Sequence, residues 1–197
     1  MSRHRYALLC LAALAAWWAL LAIAPRYRDT WLHENLLVFA GVPLSIWLHL
    51  KLGFDRIALT LITLFLALHL VGAHYTYSEV PWLGEGRNHY DRIVHFAYGL
   101  LLAYPLREIF RSAPCPRVLT LLLVMASSMS YEVIEWGFTM IAAPEQGMSF
   151  LGTQGDEWDA QKDMALATAG AALALLVMKG GGRGEGCTPD AAGGNPS

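Results

Sequence analysis

Six apolar stretches, most of them near the length of a bilayer crossing, leave this chain few ways to fold. They run approximately over residues 7–24, 35–50, 57–77, 91–110, 117–141 and 163–178. A helix needs ~20 residues to cross the hydrocarbon core. The pattern predicts an all-α fold: a polytopic membrane bundle of about six transmembrane helices. The second and last stretches are short. Pro43 lies inside the second and is expected to kink it, and a re-entrant or interfacial helix is the alternative there.

Composition agrees. Hydrophobic residues make up 55% of the 197 and charged residues only 15%, against ~25% charged in a soluble domain. Mean hydropathy is +0.38. No basic stripe exists, so a nucleic-acid partner is not expected; the partner is the lipid bilayer. Cys10, Cys115 and Cys187 show neither a CxxC spacing nor an even framework, which reads as ordinary reduced thiols. The N-terminal apolar stretch exceeds the ~7–15 residues of a signal-peptide core. Pro25 follows Ala22-Ile23-Ala24, where it hinders cleavage, so this stretch reads as an uncleaved first helix.

Basic residues orient the bundle. With the N-terminus inside, Arg3, Arg5, Lys51, Arg56, Arg107, Arg111, Arg117, Lys179 and Arg183 fall on the cytoplasmic side. Arg26, Arg28, Arg87, Arg92 and Lys162 fall outside. Nine against five places both termini in the cytoplasm, and reduced Cys115 and Cys187 agree with that side. The expected domains are a transmembrane helical domain over 1–179 and a disordered cytoplasmic tail over 180–197, which is Gly-rich and lacks apolar periodicity.

Under this topology the acids collect at one end. Glu79, Glu85, Asp91, Glu145, Asp156, Glu157, Asp159 and Asp163 lie in outer loops or helix starts, eight of the sixteen in the chain. Asp156, Glu157, Asp159 and Asp163 sit immediately before an apolar helix. Asp91 and His95 are four apart and share a helix face, His95 lying ~6 Å deeper. Glu132 and Glu135, three apart, share a face in the outer half of the fifth span. Like charges this close cannot all ionise unpaired. Cations, shared protons, or Arg87, Arg92 and Lys162 must balance them. Oxygen-rich groups with an imidazole suit Mg²⁺, Mn²⁺, Fe or Zn²⁺, so a divalent metal ion is the expected cofactor, its identity open. Neither a calcium loop nor a His-Glu-x-x-His helix is present.

Plainer readings stand beside this one. Asp156 and Asp159 serve equally as a helix cap and first-turn acid, and Asp91 with His95 as a local helix-face pair. Glu132 and Glu135 are harder to set aside, because acids within a span are functional candidates by default. His69 reads as a satisfied core histidine, and Ser127, Ser128 and Ser130 as residues that let helices approach.

Three motifs carry a family resemblance: Arg87-Asn88-His89-Tyr90-Asp91-Arg92-Ile93-Val94-His95-Phe96, Tyr131-Glu132-Val133-Ile134-Glu135-Trp136, and the long run from Phe150-Leu151-Gly152-Thr153-Gln154-Gly155-Asp156-Glu157-Trp158-Asp159 through Met164. The set resembles the YjdF family of bacterial inner-membrane proteins of unknown function, over roughly residues 7–178. The resemblance implies a multi-pass protein of the bacterial inner membrane. It supplies no reaction and no ligand.

The residues therefore carry the functional expectation. It is a metal site at the outer face with Asp91, His95, Glu132, Glu135, Asp159 and Asp163 as ligands. Glu132, Glu135 and Asp159 double as candidate catalytic acid–base groups, hydrolytic toward a lipid or lipid-linked substrate. The alternatives are a cation- or proton-coupled transporter and a structural membrane subunit without catalysis.

Overall fold

A computed structural model describes residues 1–81, 86–142 and 153–178. Glu85, Glu145 and the expected tail lie outside the described residues. Within them the chain forms six helices and no strand: α1 (Arg3–Leu21), α2 (Arg28–Leu52), α3 (Arg56–Tyr75), α4 (Tyr90–Ile109), α5 (Pro116–Ala142) and α6 (Asp159–Val177). All but α4 are long and apolar enough to cross a membrane. Asp91, Arg92, Arg107 and Glu108 make α4 the most charged near its ends, yet its middle is buried among its neighbours.

Local chemistry sets the boundaries. Ser2 Oγ accepts from Arg5 N and caps α1. Asp55 Oδ1 accepts from Ala58 N at 2.8 Å and caps α3. Gly53, at φ +69°, closes α2 in the left-handed region that glycine enters without penalty. The second stretch is a full helix of 25 residues with Pro43 inside it. It starts at Arg28, two turns before the expected start, because Asp29, His33 and Glu34 read as loop polarity but belong to the helix. The last helix likewise begins at Asp159 rather than Asp163.

Successive helices alternate in direction. Tyr6 pairs with Thr60 and Trp17 with Ala67, so α1 runs parallel to α3. Tyr90 bonds the Leu68 carbonyl and Tyr104 bonds Asp55, so α3 and α4 are antiparallel. Two ends result. One holds the N-terminus, the α2–α3 and α4–α5 turns and the end of α6. There Arg3 bonds the Gly53 carbonyl and Arg117 the Met178 carbonyl. The other end holds the α1–α2 turn, the C-termini of α3 and α5 and the N-termini of α4 and α6, and it gathers the described acids of the three motifs. Cys10 is a free thiol, but Cys115 is disulfide-bonded. That corrects the expectation of a reduced thiol at Cys115 only; a disulfide at this end weighs against a cytoplasmic location for it, so the orientation argument rests on basic residues alone.

The tightest packing is between parallel α4 and α6. A methyl group on Gly99 would overlap the Ala167 carbonyl, and one on Gly170 would overlap the Phe96 carbonyl. Ala103, Ala167 and Ala171 are fully buried around this crossing. Small residues at four-residue spacing (Gly99 and Ala103; Ala167 and Ala171) let the two backbones touch, the usual means of helix association in lipid. One turn before Gly99 stands His95; one turn before Ala167 stands Asp163. The crossing therefore fixes those two side chains opposite each other.

Candidate functional site

Two tiers of polar residues occupy the acidic end. The deeper tier starts from the α4–α6 crossing. Asp91, His95 and Asp163 present one ligand atom each, all within 4.8 Å of one another. His95 Nε2 lies 3.4 Å from Asp91 Oδ1 and 3.5 Å from Glu132 Oε1, which α5 supplies. Asp163 is 2% exposed and His95 9%. Glu132 Oε1 and Asp163 Oδ1 are buried with no hydrogen-bond partner among the described residues. Three carboxylates thus surround one imidazole, and two carboxylate oxygens are left unbonded.

The outer tier joins the motif before α4 to the motif before α6. Arg92 donates to Asp156 Oδ2 at 2.5 Å and to Asp159 Oδ1 at 3.2 Å. Arg87 donates to Asp159 Oδ1 and, at 2.5 Å, to the Thr153 carbonyl. Lys162 reaches Asp156 Oδ2 at 2.6 Å. Gln154 and Asn88 exchange two bonds: Asn88 N–H donates to Gln154 Oε1 at 2.7 Å, and Gln154 Nε2 donates to the Asn88 carbonyl at 2.8 Å. Asp156 also accepts from Trp158 N–H at 3.1 Å. Lys162 first, then Trp158 N–H and Arg92, hold the Asp156 carboxyl well below the usual carboxylate range. Asp159 lies in this clamp, 5% exposed, between the two guanidinium groups.

A third group, toward α2 and α5, was not legible as a site. Tyr131 OH donates to Glu34 Oε2 at 3.2 Å. His69 Nε2 lies 2.9 Å from the Glu34 carbonyl. A carbonyl only accepts, so the proton is on Nε2, and His69 Nδ1 accepts from Tyr77 OH. Tyr77 gets there because Thr76 and Tyr77 take positive φ (62° and 45°) and fold the chain back. Its ring lies where a methyl on Gly72 would stand. Burial, then the nearby Glu34 and Asp91, push the Tyr77 phenol well up. Glu135 falls here, lining a cavity of about 290 Å³ with Glu34, Tyr131 and Phe138. The sequence does carry a signal for Glu34, an acid between Leu32 and Leu36, but the apolar stretch that hydropathy marks starts only at residue 35.

A larger cavity of about 480 Å³ lies between α2, α3, α4 and α5. Asp91, His95, His69 and Tyr77 mark its polar end. Leu37, Tyr131 and Ile134 border both cavities. Of the six residues expected as ligands, Asp91, His95, Glu132 and Asp163 stand together, Asp159 stands in the clamp and Glu135 faces α2. Gln161, within the third motif, is exposed on α6.

This architecture is that of a polytopic helical membrane protein with a buried carboxylate–imidazole cluster at one end. The chain belongs to the family of predicted membrane proteins DUF2238, whose model matches residues 6–181. It is 36% identical over 169 residues to the inner membrane protein YjdF of Escherichia coli K12, covering 79% of this chain and 80% of that one. No solved structure matches it. The protein is thus a multi-pass protein of the inner membrane, in a family without an assigned reaction.

Proposed function

We propose that Asp91, His95, Asp163 and Glu132 hold one divalent cation, and that the protein is a cation-dependent membrane hydrolase acting on a lipid or lipid-linked substrate. The observation that carries this is a pair of buried oxygens without a hydrogen bond among the described residues, Asp163 Oδ1 and Glu132 Oε1, the latter 3.5 Å from His95 Nε2. An unsatisfied buried polar group costs ~1–3 kcal/mol, more when charged, and a cation removes that cost for both at once. Ligand atoms ~2.1 Å from one ion stand ~3–4.2 Å apart. The 4.8 Å set is slightly wider and needs only a small closure. A cation at this place supplies an activated water or polarises a carbonyl oxygen. Asp91, His95, Asp163 and one oxygen of Glu132 would anchor it, and the other carboxylate oxygen of Glu132 would accept the proton from water. Arg87, Arg92, Asp156 and Asp159 clamp the helix starts that carry these groups. The excess of basic residues at the opposite end supports a periplasmic position for the cluster.

The test uses the cation alone. Detergent-purified protein is melted with chelator and then with Mn²⁺, Zn²⁺ or Mg²⁺. Occupancy at a hundredfold over Kd stabilises the fold by ~2.7 kcal/mol. One of the ions should raise the Tm of the wild type and leave Asp163→Asn unmoved. No shift with any of them, together with an Asp163→Asn variant as stable as the parent, would exclude the site.

A further inference from the structure

We propose that the 480 Å³ cavity binds a membrane amphiphile with an uncharged, hydroxyl-bearing head, such as a diacylglycerol, which enters sideways between α2 and α5. The route comes from packing. α2 packs mainly on α3, leaving a seam toward α5. Along that seam Ala126, Ser130 and Ile134 line the cavity yet are exposed, Ile134 at 67%. In a helix that crosses a membrane, such residues face lipid. From the aqueous side, the Arg87–Asp159 and Arg92–Asp156 clamp and the Asn88–Gln154 exchange lie over the cluster.

The class of head comes from the lining. Among the described residues no Lys or Arg borders the cavity, and Asp91 is its one acid. An anionic head would find His95 already paired with Asp91 and Glu132, and the three carboxylates of the cluster outweigh a single divalent cation held among them. The wall instead offers hydroxyls: Tyr98 and Ser127, bonded to each other at 2.5 Å, Tyr131, and Ser128. Ser128 is the independent sign of a ligand. Its side chain is 3% exposed, it borders the cavity, and its Oγ has no hydrogen-bond partner among the described residues. A serine within a helix ordinarily bonds a carbonyl one turn back, as Ser127 and Ser130 do. Leu37, Phe65, Val94 and Ile134 leave an apolar wall for the chains. The link from binding to hydrolysis rests on the proposed cation; the binding itself does not.

The experiment places the full-length protein in phosphatidylcholine vesicles doped with a diacylglycerol carrying a photoreactive acyl chain, or with phosphatidylglycerol of the same chains. Diacylglycerol should label the inward residues Leu37, Leu123, Ser127 and Tyr131, while phosphatidylglycerol labels only outward residues such as Leu36, Met129 and Val133. Ser128→Ala should weaken diacylglycerol labelling about fivefold, the worth of one hydrogen bond, without lowering Tm, since that oxygen has no partner to lose. Leu37→Trp, which narrows the seam, should abolish labelling inside and keep it outside. Asp163→Asn should lose cation binding and keep the labelling, so failure of the cation site and failure of this proposal are separable. Equal labelling of the cavity by both lipids, labelling confined to outward residues, or a Ser128→Ala variant that labels like the parent would each overturn it.

Discussion

At the scale of single residues, position within the two tiers decides what a substitution does. Glu135 and Glu132 are three apart on α5, and the sequence alone cannot separate them. The fold does: Glu132 Oε1 stands 3.5 Å from His95 Nε2, whereas Glu135 lines the cavity beside Glu34. Glu135→Gln should therefore keep the cation-dependent Tm shift that Glu132→Gln diminishes, as paired melts with chelator and Mn²⁺ would show. Loss of the shift in both would merge the two groups into one site. Asp156 gives a pH prediction. Its folded pKa is depressed, so its contribution is complete above the unfolded value of ~3.9 and is lost as pH falls through the folded value. Asp156→Asn should melt below the parent at neutral pH, and the gap should narrow below about pH 4. A gap that widens on acidification would show that Asp156 is not held as a carboxylate.

Among elements, the pair α4 and α6 matters most, and it was the least legible. Hydropathy locates helices because apolar runs of ~20 residues have one economical use in a bilayer. It gave six spans, and six helices stand near those positions. It missed the first two turns of α2, because charge at a helix start reads as loop. Nor does it say which helices touch. Gly99 and Gly170 lie 71 positions apart, and nothing in either span alone marks them as partners. Their meeting is what sets His95 opposite Asp163. Gly170→Val should consequently do more than an ordinary overpacking change of ~1–3 kcal/mol, because the clash is with the Phe96 backbone, which cannot rotate away. We expect a lowered Tm together with a lost cation shift. Gly137→Val is the comparison, since a Cβ there meets nothing within 4 Å, and it should leave both unchanged. A Gly170→Val variant that retains the cation shift would uncouple the crossing from the site.

For the whole molecule, orientation follows from how charge divides between the ends. Alternating helices gather Arg3, Arg5, Lys51, Arg56, Arg107, Arg111 and Arg117 at the end opposite the cluster, as the sequence implied. Arg26, Arg28, Arg87, Arg92 and Lys162 stand at the acidic end. Three of those five are consumed locally, Arg87, Arg92 and Lys162 by Asp156 and Asp159, and Arg26 is paired with Glu79 at 2.6 Å. Paired cations are not neutral toward insertion, because topology is set by Lys and Arg before the fold forms; the bias of the count therefore stands unaltered by the pairing. It predicts the cluster at the periplasmic face and Ser112 in the cytoplasm. Glu157, which is exposed, can report the position of the cluster end. In intact cells, Glu157→Cys should react with a membrane-impermeant maleimide and Ser112→Cys should not, each read against the parent chain because it carries its own cysteines. After lysis both should react. The reverse pattern would turn the bundle over and place the cation cluster, with its cavity, at the cytoplasmic leaflet.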